Sequence, residues 1–272
     1  MTHFDYESKI WGGGKVKTSF NYFGASQLRF ALADLHKTKG RILEIGCGAG
    51  RMAKAVKFYR PDLDVLGIDL SKRAIDEAKR DSQGVKFFPG NVYQLPFKDE
   101  SFEAVLIFDL LEHLEDPQKA LHEVYRVLKP EGILSCFTPI EGNILSIPGL
   151  AKRFFGFPGK EKYAGHIQQY TLEDLLGFLK QSHLKFLEKR YFGHLFYQLV
   201  DFAYFTFLSL RGKNVPYSVE GYLARERGLK RNLIALVKSM IAVICYLESK
   251  VFWFLPASGV HLTAQRFPGG RK

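Results

Sequence analysis

The ten residues RILEIGCGAG, at 41–50, constrain this chain more than any other stretch. A short apolar run ends in glycines at 46, 48 and 50, and RMAKAVKFY (51–59) then continues with apolar residues at helical spacing. A strand that turns sharply into a helix, with backbone brought close to a ligand, needs glycine, because a Cβ would clash or forbid the positive φ required. The spacing is informative as well. A nicotinamide dinucleotide turn wants G-x-G-x-x-G, whose third glycine would fall at 51. Position 51 is Arg, so the G-x-G-x-G pattern here disfavours a nicotinamide oxidoreductase.

After this turn, short apolar runs alternate with helical segments. DVLGIDL (64–70), VKFFPG (85–90), FEAVLIFD (102–109) and GILSCFTP (132–139) read as further strands. SKRAIDEAKRD (71–81) reads as a helix capped by Ser71, and DPQKALHEVYRVLK (116–129) as one capped by Asp116 with Pro117 in its first turn. TLEDLLGFLKQS (171–182) starts with a capping box of Thr171 and Asp174. LKFLEKRYF (184–192) and GVHLTAQRF (259–267) alternate as strands. The expected fold is α/β, a doubly wound, mainly parallel, seven-stranded Rossmann-like sheet with a helical insertion between the last two strands. Three regions follow: a helical cap at 1–40 containing SQLRFALADLHK, the nucleotide-binding domain at 41–192 plus 259–268, and the insertion at 193–258.

Charge and cysteine content narrow the partners. Residues 1–150 carry 20 basic and 20 acidic side chains, whereas 151–272 carry 19 and 8, so the whole net charge of +11 sits in the second part. Such asymmetry points to an anionic partner, nucleic acid or a membrane surface. Cys47, Cys136 and Cys245 form no CxxC and no metal spacing, and MTHFDYESKI shows no basic stretch followed by an apolar run, so no signal peptide and a reduced cytoplasmic protein are expected.

Asp69 ends the second strand, 19 residues beyond Gly50. A carboxylate there can accept both hydroxyls of a ribose; the competing role, capping the next helix, is already filled by Ser71. Taken in order, LEIGCGAG, GIDLS, GNVYQLPF and the stretch from FEAVLIFDLLEHLEDP to VYRVLKPEGIL resemble the successive motifs of class I S-adenosylmethionine (SAM)-dependent methyltransferases, above all the subgroup that includes ubiquinone and menaquinone biosynthesis enzymes. The resemblance covers 40–140 closely and is lost over 194–257. It implies a methyltransferase with SAM as cofactor. Glu44 and the turn of Gly46, Cys47, Gly48 and Gly50 would hold the methionine part, Asp69 the ribose, Leu70 the adenine face, Asn91 and Val92 the adenine edge, and Phe108 the methionine side. Asn91 departs from the Asp usual in the family; its amide oxygen can still accept from an adenine amino group.

Methyl transfer from a sulfonium is an in-line displacement for which the protein chiefly supplies position, worth up to roughly 7–11 kcal/mol. A hydroxyl acceptor also needs a base, and His113 and His166 are the candidates. Each has the alternative of being a satisfied structural histidine. Asp109, Glu112 and His113 share a face if their turn is helical, and some quinone O-methyltransferases hold a divalent cation with a similar set; the plainer expectation is no metal, with Glu112 and His113 making structural hydrogen bonds.

The insertion points to the acceptor. HLFYQLVDFAYFTFLSL (194–210) and LIALVKSMIAVICYLESKVFWFLP (233–256) are apolar nearly all round and flank the basic RGKNVPYSVEGYLARERGLKR (211–231). Neither run reaches 18 residues without a charge, which disfavours a spanning helix and suits an anionic membrane surface, on the inner face of the membrane, or a compact lid. Either form implies a lipid-like or other small acceptor. Two rivals remain: a nucleic-acid methyltransferase, for which the expected Asn/Asp-Pro-Pro-aromatic tetrad is missing after the fourth strand, and a SAM-binding interaction module at membranes without catalysis.

Overall fold

The computed structural model describes residues 13–19, 21, 24–142, 146–147, 150, 154, 165–211 and 228–267. Seven strands form one sheet: β1 Arg41–Ile45, β2 Asp64–Asp69, β3 Lys86–Pro89, β4 Phe102–Phe108, β5 Leu128–Pro139, β6 Leu184–Phe192 and β7 Gly259–Arg266. Their order is β3-β2-β1-β4-β5-β7-β6. β7 runs antiparallel to both neighbours, and every other pairing is parallel. Central strands covered on both faces must be apolar along their length, which is why RILEI and FEAVLIF show no alternation. Edge strand β6 is mostly exposed and carries Lys185, Glu188, Lys189 and Arg190, charges that oppose pairing with another chain.

Among the described residues, the helices are α1 Ala25–Asp34, α2 Arg51–Tyr59, α3 Lys72–Arg80, α4 Pro117–Val127, α5 Leu172–Gln181, α6 Leu195–Arg211 and α7 Gly228–Val251. The expected caps form. Ser71 Oγ accepts from Ala74 N–H, Asp116 from Lys119 N–H, and Thr171 with Asp174 makes the reciprocal box. One core cluster packs α4 and α5 on one face of the sheet through Leu121, Val124, Leu175 and Leu179. The other packs α1, α2 and α3 through Leu28, Met52, Val56 and Ile75. All three cysteines are free and buried.

Two boundaries differ from the sequence reading. β5 begins at Leu128, four residues early, because Leu128 pairs with Phe102 before a bulge resets the register at Ala104–Ile133. α7 begins at Gly228, taking in GLKRN, whose Leu, Lys and Arg are good helix formers. The irregular 139–170 segment falls largely outside the described residues, as do Trp11, Gly12 and the linker from 212 to 227.

The insertion leaves and rejoins the sheet through one neck. Ser258 donates from both N–H and Oγ to the Gly193 carbonyl, at 2.9 and 2.8 Å, and Ile140 N–H donates to the Ser258 carbonyl. Because β6 runs parallel to β1, this neck lies at the carboxyl edge of the sheet, beside the chain leaving β5. Within the insertion, Glu248 of α7 accepts from Phe196 N–H at 2.6 Å and so caps the start of α6.

A buried polar network joins the N-terminal helix to the sheet. The Asp34 carboxylate accepts from Thr263 Oγ1 at 2.9 Å and Arg190 at 2.7 Å, and lies 2.8 Å from His261 Nε2. Burial pushes the Asp34 carboxyl up, but these partners, His261 first, outweigh it and hold it down at about 2. A depressed carboxyl stabilises the fold above its ordinary range and loses that contribution as pH falls toward 2. Asp34→Ala removes the partner of two buried groups and is expected to destabilise the fold by about 3–5 kcal/mol near neutral pH, with the deficit narrowing on acidification. Denaturant unfolding of both forms across pH measures this; an unchanged midpoint at neutral pH would contradict it.

Candidate functional site

The site forms where the sheet order reverses, between β1 and β4, at the carboxyl ends of the strands, where open α/β sheets bind ligands. The turn after β1 is pinned to β2: Gly46 and Cys47 both donate N–H to the Ile68 carbonyl, at 2.8 and 2.9 Å. Gly46, Gly48 and Gly50 all have positive φ, at 72°, 52° and 83°. A Cβ on Gly50 would lie 2.4 Å from the Phe87 ring, and one on Gly46 would press on Leu110. The glycines therefore answer to space as well as backbone angle.

Asp69 ties this turn to α3. Its carboxylate accepts from Gly48 N–H at 2.7 Å and from Ser71 N–H at 2.9 Å. Glu44, on β1 beneath the turn, is 3% exposed, and its Oε2 has no hydrogen-bond partner. Burial pushes its carboxyl up to about 8, with Asp69 adding to the rise and Arg51 opposing it. Leu70 is 70% exposed at the rim, a large apolar face that a flat ring would cover. Cys47 is buried, its thiol pushed up by burial, so it contributes packing and backbone. Asn91 is exposed, and its Oδ1 accepts from Tyr93 N–H at 2.9 Å, which engages one lone pair of the atom expected to meet adenine. Val92 and Phe108 are buried in the two core clusters, Phe108 beside Cys47 and Met52 beneath the turn.

A second cluster stands after β4. Asp109 takes φ 50°, uncommon for a non-glycine residue, and accepts from Gln27 of α1. Glu112 is buried: Oε2 accepts from Thr138 Oγ1 at 2.9 Å, while Oε1 has no hydrogen-bond partner and lies 3.9 Å from His113 Nε2. Burial raises its carboxyl, and His166 opposes that rise. His113 Nδ1 lies 2.9 Å from the Gly165 carbonyl; burial, then His166, holds it down at about 4, so it is neutral at pH 7. The rings of His113 and His166 meet edge to face, 5.0 Å apart, and His166 Nδ1 lies 3.3 Å from Glu141 Oε2.

The residues expected from sequence thus gather at one edge, but the grouping changes. Ligating atoms of Glu112, His113 and His166 lie within 4.8 Å of one another. Asp109 stands outside that group, exposed and turned to Gln27, because the strand ends at Phe108 and the residue after it flips to positive φ. Glu141 and Gln27 were missed, since nothing local in EGN or SQL marks a residue that reaches the site from another element.

These groups fit SAM. The orphaned, buried Glu44 oxygen suits a cationic amine, Asp69 suits a ribose, and Leu70 suits an adenine face. Three acidic residues, Glu44, Asp69 and Asp109, line an edge of a chain whose net charge is +11, which favours a cationic ligand.

Comparison with known proteins agrees. The family described as "Methyltransferase domain" matches residues 43–136. A ubiquinone/menaquinone biosynthesis C-methyltransferase of Desulfotalea psychrophila is 37% identical over 110 residues, 39% of this chain and 45% of that protein. An uncharacterised methyltransferase of Schizosaccharomyces pombe is 37% identical over 111 residues, 37% of this chain and 40% of its own length. In each of the first three curated relatives, the match takes in less than half of the relative. The crystal structure of a putative methyltransferase from Bacillus halodurans superposes with a TM-score of 0.58 at 16% identity, covering 90% of this chain and all of that one. That likeness speaks to the fold. Residues 43–136 thus carry a methyltransferase domain, and the chain resembles the ubiquinone/menaquinone group of the class I SAM-dependent methyltransferases.

A carboxyl that must lose its proton to bind a cation couples affinity to pH. SAM binding is expected to tighten at least about tenfold between about pH 6 and pH 8 as Glu44 ionises, and Glu44→Gln to lose most of that rise along with affinity. Calorimetric titration across pH measures it; an identical pH slope in the variant would remove Glu44 from the cofactor site.

Proposed function

We propose that this protein transfers the methyl group of SAM to a small, apolar, lipid-like acceptor. The observation that carries the reading is the joining of two sites at one strand edge. Gly46 of the cofactor turn abuts Leu110, and two residues on begins the buried group of Glu112, His113 and His166. SAM supplies an activated methyl on sulfur. The chain supplies the rest: Glu44, the glycine turn and Asp69 hold the donor, with Leu70, Asn91 and Val92 around the adenine, and burial at Glu112 and His166 excludes water.

Bound SAM would supply the methyl group and leave as S-adenosylhomocysteine, and the acceptor would give up a proton. His166 takes that proton in this reading. The Glu141 carboxylate beside its Nδ1 orients the ring and stabilises its charged form. His113, held neutral and bonded toward Gly165, serves as a wall of the pocket. The quinone chemistry in the name of the Desulfotalea relative supports an apolar acceptor. So does the insertion, whose neck touches Ile140, next to Glu141. Its two helices act as a lid or as the route of entry, from the cytoplasmic face of a membrane.

Incubation with SAM carrying a tritiated methyl and a total lipid extract tests the reading. Label should pass into the organic phase, giving a product 14 mass units heavier by the CH2 gained. SAM binding without any labelled product would favour an interaction module, and label in added RNA would favour a nucleic-acid enzyme. His166→Gln is expected to lower kcat by about a hundredfold while SAM affinity holds; equal turnover would remove His166 as the base.

A further inference from the structure

Helix α7 presents a feature that methyl transfer does not use. Leu229, Leu233, Leu236, Met240, Ile244 and Leu247 are all exposed, and Val251 closes the row. Their spacing is 4, 3, 4, 4, 3 and 4. At about 100° per residue they fall on one arc roughly 60–80° wide, which runs the length of a 24-residue helix. Val237, also exposed, widens the arc without breaking it. No charged residue lies on it. Arg231 and Lys238 project on the opposite side, and Lys230 and Lys250 lie along the borders, where long basic side chains reach past an apolar face.

The other side of α7 is occupied. Ala242 and Cys245 are buried. Asn21 Nδ2 donates to Ser239 Oγ at 3.0 Å, and the Arg29 guanidinium stacks on the Tyr246 ring. Glu248 caps α6. The protein therefore holds α7 by one face and leaves the apolar face outward. Soluble domains rarely leave so long an apolar strip uncovered.

The chemistry at the two ends says what covers it. Phe252, Trp253 and Phe254 follow the helix, all exposed, Trp253 by 69%. A tryptophan so placed settles at the boundary between lipid tails and head groups, with the two phenylalanines adding apolar area beside it. The other end is basic: residues 211–231 contain six Lys and Arg against two Glu, and Lys230 and Arg231 stand in the first turn of α7. Cations at a helix N-terminus oppose the helix dipole, so within the protein alone they are unfavourable there; anionic head groups turn them to advantage.

We infer that α7 docks the protein in the plane of an anionic lipid bilayer, with the row from Leu229 to Val251 sunk among the acyl chains and Lys230 and Arg231 on the head groups. By length and composition α7 could also cross a membrane, contrary to what its charges suggest from sequence alone. Its contacts at Ser239, Ala242, Cys245, Tyr246 and Glu248 with the rest of the protein hold it to the surface instead. Docking stands independently of the methyl-transfer reading. The neck at Gly193 and Ser258 brings the docked helices to the strand edge that carries Glu112 and His166, which gives a lipid-like acceptor a short path.

Flotation of the full chain tests this, with vesicles of phosphatidylcholine alone and of phosphatidylcholine mixed equally with phosphatidylglycerol. The chain should float with the mixed vesicles, far less with the neutral ones, and detach in high salt or alkaline carbonate. Leu236→Glu with Met240→Glu, both at exposed positions, should lower the bound fraction at least about tenfold. SAM binding by that variant should be unchanged, which separates loss of docking from loss of the fold or of the cofactor site. Failure to float with either vesicle, or equal flotation of the variant, overturns the inference. So does resistance to carbonate, which would mean a spanning helix. A lipid-free dimer that the same two substitutions dissociate, with no flotation, would assign the row to a second copy of the chain and also overturn it.

Discussion

One carbonyl oxygen organises the cofactor edge. Ile68 accepts from both Gly46 and Cys47, so the turn that ends β1 is fastened to the end of β2. The next residue, Asp69, then reaches back to Gly48 N–H. The loop and the carboxylate that must act on one ligand are therefore one mechanical unit, fixed by adjacent strands of the sheet. The three positive φ angles follow from this geometry, since the chain must double back within five residues while keeping both hydrogen bonds. The crowding of Phe87 and Leu110 at the glycine positions is the packing consequence. The turn cannot swell, and a donor seated on it meets backbone.

Electrostatics then divides the molecule. The cofactor edge is acidic within a basic chain, and burial keeps two of its carboxyls, Glu44 and Glu112, above their ordinary range. A buried carboxyl with an unpartnered oxygen costs stability, roughly 1–3 kcal/mol for the lost hydrogen bond. Such a cost is typical of functional sites, where a ligand completes what the fold leaves open. Asp34 shows the opposite case. It too is buried, though less deeply than Glu44, and its partners from β6 and β7 satisfy it and hold its carboxyl low. The contrast is between a carboxylate whose partners are all within the fold and one with an oxygen left unpartnered.

Much of this was legible in the sequence, and the reason is locality. The glycine spacing, the Ser71, Asp116 and Thr171 caps, and the seven strands each depend on residues within a few positions of one another. Glu141, Gln27 and the Asp34–His261 pair depend on elements 25 to 227 residues apart. No local pattern distinguishes Asp34 from any polar residue at the end of an amphipathic helix. Asp109 would share a face with Glu112 and His113 only if their turn were helical, whereas Asp109 takes a positive φ and the short 3₁₀ turn begins only at Leu111. His166 took the place beside them because Ile167 and Gln168 donate to the Glu112 carbonyl and draw the distant segment across.

The division between generic and specific parts of the chain follows the same line. The family match ends at Cys136, whereas the insertion begins at Gly193 and returns through Ser258. The sheet needs the insertion for nothing: β6 and β7 pair along their whole length, and the neck closes with hydrogen bonds between Gly193 and Ser258. α7 keeps a charge-free apolar row exposed over about 35 Å of helix, a strip that packing within the described residues does not account for. The glycine turn and Asp69 sit at the strand ends within the matched family domain, whereas α6 and α7 lie outside it.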